Sequence, residues 1–373
     1  MINLIYIGLL LLLFGVSPVA IYLLRSDFGY TFETAVFGSV FGIYCLAPFF
    51  LWQAFFMKTE PSRIFLEPML PYVIGLMSVL TLVALSGVNL HDLEISRNAL
   101  RPISRVELFL INLNLISSLL AVVYFFYRIS WISVLMFFFS ISTSTFIAYL
   151  EGRRAIVAII LGSFILCFFA FSRQSFLVKF FYGLTLLLAL FFAFLFITAI
   201  RIGEAGFDIS LLTKLALTRI FNPGWMINEA ISHAHIRYES IILQNIWERL
   251  MYIFGFTESY VGVGNHFGTV FGFIDGDNSV VGINPGIVVE ALLFNAALAP
   301  LIVSSICIWG SVVIRLFRRI SKALSVLIVV LIVHGMQMEV GYTVGLLVRL
   351  SLLGFAAYGV LKFLPRRKVA LPV

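Results

Sequence analysis

Charge is scarce in this chain. Only 12% of its 373 residues are Asp, Glu, Lys or Arg, 61% are hydrophobic, and the mean hydropathy is +1.08. That balance excludes an ordinary soluble domain and describes a polytopic membrane protein. Cysteine is nearly missing. Cys45, Cys167 and Cys307 all fall inside apolar runs. No disulfide framework or metal-ligand spacing is readable, and three buried free thiols are expected. Period-two alternation is missing as well, which argues against a β-barrel. The first apolar run lacks a basic leader region and a small-residue cleavage site, so it reads as a span. The stretch GVGNHFG is not followed by Gly-Lys-Ser/Thr, which excludes a Walker phosphate loop. No internal sequence repeat is apparent.

What is present is a series of long apolar runs. A span needs about 20 mostly apolar residues. Ten windows qualify: 3–24, 33–56, 69–88, 107–127, 130–150, 155–171, 176–200, 286–314, 324–341 and 343–363. A lone chain in lipid satisfies its backbone polar groups as helix, so the expected fold is all-α, with about ten transmembrane helices. Three parts follow. Residues 1–200 hold seven spans, 201–285 form a large extramembrane segment, and 286–373 hold three spans and a basic tail.

The basic side chains set the orientation. Arg315-Leu-Phe-Arg-Arg-Ile-Ser-Lys322 and the tail from Lys362 to Lys368 are separated by two spans, so they share one side. The positive-inside rule makes it the cytoplasm. Counting back through ten spans puts both termini inside and the 201–285 segment outside. On that sorting 13 of the 25 basic residues and 2 of the 18 acids lie inside. The remaining 12 basic residues, at or near the outer face, include one lysine, Lys214; the others are arginines. Guanidinium stays charged, and its planar fork grips phosphate or carboxylate through two parallel bonds, which lysine cannot do.

Several outer clusters could use that chemistry. Arg97, Arg101 and Arg105 recur every four residues in the loop 89–105, where Pro102 weakens a helix. Pairing with Asp92, Glu94 and Glu107 is the competing reading there. Glu151-Gly-Arg-Arg154 is a short outer turn holding Arg153 and Arg154, expensive unless an anion sits beside it. Within 201–285, residues 208–221 read as an interfacial amphipathic helix containing Arg219, ended by Asn222-Pro-Gly224. Residues 225–250 read as a second helix. Glu229, His233 and Arg237 share one stripe, His235 and Glu239 form an adjacent pair, and Arg249 follows. A histidine beside an arginine suits a general base next to an anion site, and a solvated charged face is the alternative. Residues 255–286 carry eight glycines and read as a shaped loop or lid. In it, Asp275 and Asp277 are a weak signal for a hard cation. Glu290, His334, Glu339 and Arg349 lie near outer span ends, with a tight turn expected near Gly341 that would set His334 and Arg349 at similar depth. Ionisable groups at membrane depth are candidates for function, with salt bridges as the alternative.

A GRR turn after a long apolar run, a large late outward loop and a span opening INPGIVVEALLFNAALAPL together resemble the O-antigen polymerases of the Wzy type, within the O-antigen ligase and polymerase superfamily. The resemblance covers the architecture of nearly the whole chain. It implies an inner-membrane glycosyltransferase that moves a growing chain from undecaprenyl diphosphate onto a new lipid-linked oligosaccharide unit at the periplasmic face. It implies neither metal nor other cofactor. Arginines would stabilise the diphosphate leaving group, and a chain-length regulator would be a partner. In that reading Arg153, Arg154, Arg219, Arg237 and Arg249 bind diphosphate, with Glu290, His334 and Arg349 contributing at the span ends. His233, His235 or Glu339 is the base.

Two other readings stand beside it. The O-antigen ligase uses the same chemistry but carries a motif around its outer-loop histidine that this chain lacks. A lipid or polysaccharide transporter would place charge along a central path, whereas the span midpoints here are nearly free of charge.

Overall fold

In a computed structural model, the protein is described at residues 2–25, 29–56, 74–75, 79, 105–127, 130–151, 154–171, 175, 177–178, 181–185, 188, 191–192, 195, 210, 213–214, 217–218, 221–232, 239–257, 284–320 and 322–363. For 105–113, 127, 146–151, 154–158, 171, 239–241, 322–323 and 360–363 the backbone alone is described. The fold is all-helical, with no strand among the described residues. Four helices are long and apolar enough to cross a membrane. These are α1 (Ile2–Leu24), most of α2 (Phe32–Phe56), α9 (Ala299–Ile320) and the first 20 residues of α11 (Val340–Phe363). Four further apolar helices are α3 (Arg105–Tyr127), α4 (Trp131–Glu151), α5 (Arg154–Phe171) and α10 (Lys322–Met336). The windows 69–88 and 176–200 lie largely outside the described residues.

Helix α1 is not regular throughout. A π-helical stretch at Leu11–Val16 precedes Pro18. Proline supplies no N–H and crowds the turn before it, and a widened turn relieves both. The main core is a single cluster, centred on α1, α2, α9, α10 and α11, with α3, α4 and α5 joined to it. Inside it polar side chains tie helices together. Ser304 donates to the Cys45 carbonyl at 2.8 Å and Gln53 donates to Ser311 at 2.6 Å. Between α3 and α4, Asn114 donates to Ser144 at 2.7 Å, and Ser118 and Ser144 share a bond of 2.6 Å. Such bonds replace contacts that lipid cannot offer.

Two departures from the sequence reading matter for the site. First, the apolar run 286–314 is not one helix. A short helix α8 (Gly286–Phe294) stops at Asn295, whose backbone turns extended and whose Oδ1 accepts from Ala297 and Leu298 at 2.9 and 3.2 Å. Helix α9 then starts at Ala299-Pro300. Asparagine here caps the helix that follows, and proline is tolerated because a first-turn N–H has no helical partner anyway. Second, the segment 201–285 is not wholly peripheral. Helix α6 (Asn222–Ser232) buries Asn222, Pro223, Gly224, Met226, Ile227, Asn228 and Ala230 against α1, α2 and α8. Asn222-Pro-Gly224 forms the first turn of this helix, where the rigid proline belongs.

Candidate functional site

Both short helices begin with the same triplet, Asn222-Pro-Gly224 in α6 and Asn284-Pro-Gly286 just before and into α8. The two triplets touch, since the Asn222 side chain donates to the Asn284 carbonyl at 2.8 Å. Each triplet is also anchored to a distant part of the chain. The Gly224 N–H donates to Ser17 Oγ at 2.9 Å, and the Gly286 N–H donates to the Met338 carbonyl at 2.6 Å. Gly286 has a φ of +76°. That left-handed conformation favours glycine. Each helix then carries a glutamate about a turn or two on: Glu229 in α6 and Glu290 in α8.

The two carboxylates have different surroundings. Glu290 is fully buried, and its Oε1 accepts from the Val340 N–H at 2.7 Å. It thereby satisfies an orphan donor at the start of α11. Asn245 and Glu339 lie close enough to act on the same carboxyl. Glu229 is half-buried. Its Oε1 accepts from the Tyr30 hydroxyl and from Trp225 Nε1, the latter at 3.3 Å. Burial, and then the Glu229 carboxylate, hold the Tyr30 phenol well above its ordinary range, so it stays a donor. Nearby, Arg25 donates to the Lys214 carbonyl at 2.9 Å and to Thr218 Oγ1.

Helix α7 (Glu239–Ile253) supplies the cationic part of the site. It packs on the first turns of α11 across Gly341 and Gly345, which are four residues apart and share a face. A Cβ at Gly341 would fall 2.6 Å from Asn245 Oδ1 and 2.9 Å from the Asn245 carbonyl oxygen. At Gly345 it would meet Ile253 Cδ1 at 2.5 Å and Arg249 Cγ at 3.1 Å. Two glycines at this spacing let helices approach this closely. The crossing aims the Arg249 guanidinium over two rings, Tyr342 at 5.1 Å and Tyr252 at 5.5 Å from the ring centres. Both distances are within the range of cation–π attraction. Arg349, exposed two turns further along α11, is within electrostatic reach of Arg249, Tyr342 and Tyr252.

Of the sequence-predicted residues, Arg249 and Arg349 lie within electrostatic reach of each other, as do Glu290 and Glu339. Glu339 lies in the turn before α11, and His334 sits half-buried in the last turn of α10. That turn spans residues 337–339, earlier than expected. At about 1.5 Å per residue, His334 is therefore about 6 Å from Met338 and Arg349 about 16 Å, so the two do not share a depth. Arg154 opens α5, and its side chain is outside the description. Arg153, Arg219, His233, His235 and Arg237 lie outside the described residues, as do Asp275 and Asp277. Among the described residues no group of three or more His, Cys, Asp or Glu could hold a metal ion. Sequence reading missed Tyr30, Trp225, Tyr252 and Tyr342 as neighbours of the charged groups. The repeated Asn-Pro-Gly triplet and the spacing of Gly341 and Gly345 were the available signals. Comparison with protein-family models, with curated proteins and with solved structures finds no match.

Proposed function

We propose that this protein is a metal-independent glycosyltransferase of the O-antigen polymerase type. It would use undecaprenyl-diphosphate-linked oligosaccharides at the outer face of a bacterial inner membrane. The observation that supports this reading best is Arg249 held over Tyr252 and Tyr342 on the α7–α11 crossing, with Arg349 within electrostatic reach. Two guanidiniums within electrostatic reach repel each other, and a diphosphate bound between them would relieve that cost. Each could take two phosphate oxygens through its fork.

On this reading about ten helices span the membrane, both termini face the cytoplasm, and the 201–285 segment faces the periplasm. The acceptor sugar hydroxyl attacks the anomeric carbon of the donor chain, the bond to the diphosphate oxygen breaks, and undecaprenyl diphosphate leaves. Arg249 and Arg349 stabilise the charge developing on that leaving group, in the place a divalent cation would otherwise take. The acceptor proton passes to a base, with His233, His235 and Glu339 as the candidates. Holding both lipid-linked substrates at one membrane surface supplies proximity.

Complementation tests this. In a strain deleted for the gene, the wild-type chain is expected to restore a ladder of long polysaccharide on lipopolysaccharide. Arg249→Ala and Arg349→Ala should each leave core plus one unit while the protein stays in the membrane. A deletion strain showing bare core, without the single unit, would identify the ligase instead. Normal ladders from both variants would overturn the assignment of the arginines.

A further inference from the structure

Helix α7 has three faces. At about 100° per residue, Ile242, Asn245, Ile246, Arg249 and Ile253 fall on one side, the side packed towards α11 and α8. Gln244 and Glu248 form a narrow polar strip, joined by a 2.7 Å hydrogen bond from Gln244 Nε2 to Glu248. Between strip and packed face lies an apolar stripe of Leu243, Trp247, Leu250, Met251 and Phe254. Its outermost members are strongly exposed: Leu243 64%, Trp247 63% and Phe254 55%, followed by Phe256 at 72%. A surface of large apolar side chains this open marks a contact with something apolar.

The direction of the helix identifies that contact. Helix α11 (Val340–Phe363) has 24 residues, about 36 Å at about 1.5 Å per residue, enough to cross the roughly 30 Å hydrocarbon layer of a bilayer. The chain reverses between α10 and α11 in the turn 337–339, which holds Glu339, so Val340 lies at one edge of that layer. Asn245 meets Gly341, whereas Arg249 and Ile253 meet Gly345. Helix α7 thus runs in the same sense as α11, from the edge inwards, and the Gly345 level is about 8 Å below the edge. The chain stops there in an orderly way. Gly255, with a φ of +81°, closes the helix. The Phe256 N–H bonds to the Met251 carbonyl at 2.9 Å and the Gly255 N–H to the Tyr252 carbonyl at 3.2 Å. This glycine cap satisfies carbonyls that lipid would leave bare. Below Arg349, α11 continues the same kind of surface with Leu352, Leu353 and Phe355 exposed.

We propose that α7 is a re-entrant helix that dips into the bilayer beside α11, with Leu243, Trp247, Phe254 and Phe256 lying against lipid acyl chains. Arg249 then enters about 8 Å below that edge, on a stem long enough to reach back toward the headgroups. This placement does not depend on the activity proposed above.

Depth-resolved quenching tests it. Single cysteines are introduced as Leu243→Cys, Trp247→Cys, Phe254→Cys and Phe256→Cys, with Gln244→Cys as the polar-strip control. The native cysteines are buried and remain. Each variant is labelled with a nitrobenzoxadiazole dye and placed in phosphatidylcholine nanodiscs containing lipids spin-labelled at shallow or deep acyl positions. Labels at 247, 254 and 256 should be quenched by acyl-chain spin labels several-fold more than the label at 244. Labels at 254 and 256 that escape acyl-chain quenching, and cysteines there that react freely with a membrane-impermeant maleimide, would overturn the placement. The unaltered chain gives a second readout. A photoactivatable diazirine carried mid-chain on phosphatidylcholine should form adducts within 243–256, and adducts confined to other helices would also overturn it.

Discussion

Two helix crossings in this protein are built on the same device and put it to different use. In α2, Gly38 and Gly42 are four residues apart, as are Gly341 and Gly345 in α11. At Gly42 an added Cβ would collide with the Phe14 carbonyl of α1. At Gly38 it would fall 2.8 Å from Asn228 Oδ1 and 3.2 Å from both Ile227 Cγ2 and Pro18 Cβ. What fills the space left by glycine there is backbone and neutral side chain, sealed by Asn228 donating to the Pro18 carbonyl at 3.1 Å. At the α7–α11 crossing Asn245 fills the space beside Gly341, and Ile253 together with the stem of Arg249 fills that beside Gly345. Small residues allow close approach in both places. Only the second holds a cation at the crossing, with a second arginine in reach. The first crossing is therefore read as scaffold and the second as site.

Substitutions can break this contrast, and the largest effect is expected at Gly42. Gly42→Ala forces its methyl into backbone, where nothing flexible can yield, and α1 must separate from α2. Overpacking a good core costs about 1–3 kcal/mol and more where backbone is met. The folded fraction in a detergent thermal-shift or size-exclusion assay should fall sharply. Gly341→Ala meets the Asn245 amide and its carbonyl, and should also destabilise the protein, while Gly359→Ala and Gly8→Ala, with nothing within 4 Å, should not. Equal tolerance at all four sites would remove the glycine argument.

Next come the arginines, whose loss should spare folding. Arg249→Ala and Arg349→Ala are expected to stop chain elongation with thermal stability changed by less than about 1 kcal/mol, as for exposed or half-exposed sites. Arg249→Lys keeps the charge and loses the fork, so it should recover only part of the activity. Full recovery would reduce the role of Arg249 to charge alone.

Glu290 sharpens the contrast from the other side, since it joins the site to the scaffold. Glu290→Ala leaves the buried Val340 N–H without its acceptor, a loss of about 1–3 kcal/mol. Glu290→Gln keeps an acceptor and should keep most of the stability. Equal losses from both variants would remove the Val340 hydrogen bond as the reason for Glu290. The smallest effect is expected at Gln53, where Gln53→Leu removes the bond to Ser311. Interhelical bonds in membranes average about 0.6 kcal/mol, so the thermal midpoint should move little.

Much of the scaffold was legible in the sequence. Apolar runs at 3–24, 33–56, 107–127, 130–150 and 155–171 match α1 to α5 within two residues at each end. Hydropathy succeeds there because it is the physical requirement of a span. The same measure failed at 286–314. Asn295 interrupts a run whose mean hydropathy stays high, and only its capping geometry ends α8. The burial of α6 was illegible for a related reason. Glu229, His233 and Arg237 on one stripe made the segment read as an outer amphipathic helix carrying a candidate base, with a solvated face as the alternative, whereas Ser17, Pro18 and Gly38 supply partners distant in sequence. In the site, residue type pointed to Arg249 and Arg349 but not to the crossing that holds Arg249 within electrostatic reach of Arg349. That depends on Gly341 and Gly345, whose lack of side chains is what the packing uses.

Arg249 on the α7–α11 crossing, with Arg349 in reach, is proposed to bind the diphosphate of a lipid-linked oligosaccharide. The most direct test of that role is turnover by the purified chain in nanodiscs, supplied with undecaprenyl-diphosphate-linked repeat unit in the presence of a metal chelator. The expected result is polysaccharide longer than one unit together with released undecaprenyl diphosphate from the wild type, and neither from a folded Arg249→Ala protein. Equal polymer and equal release from both proteins would contradict it.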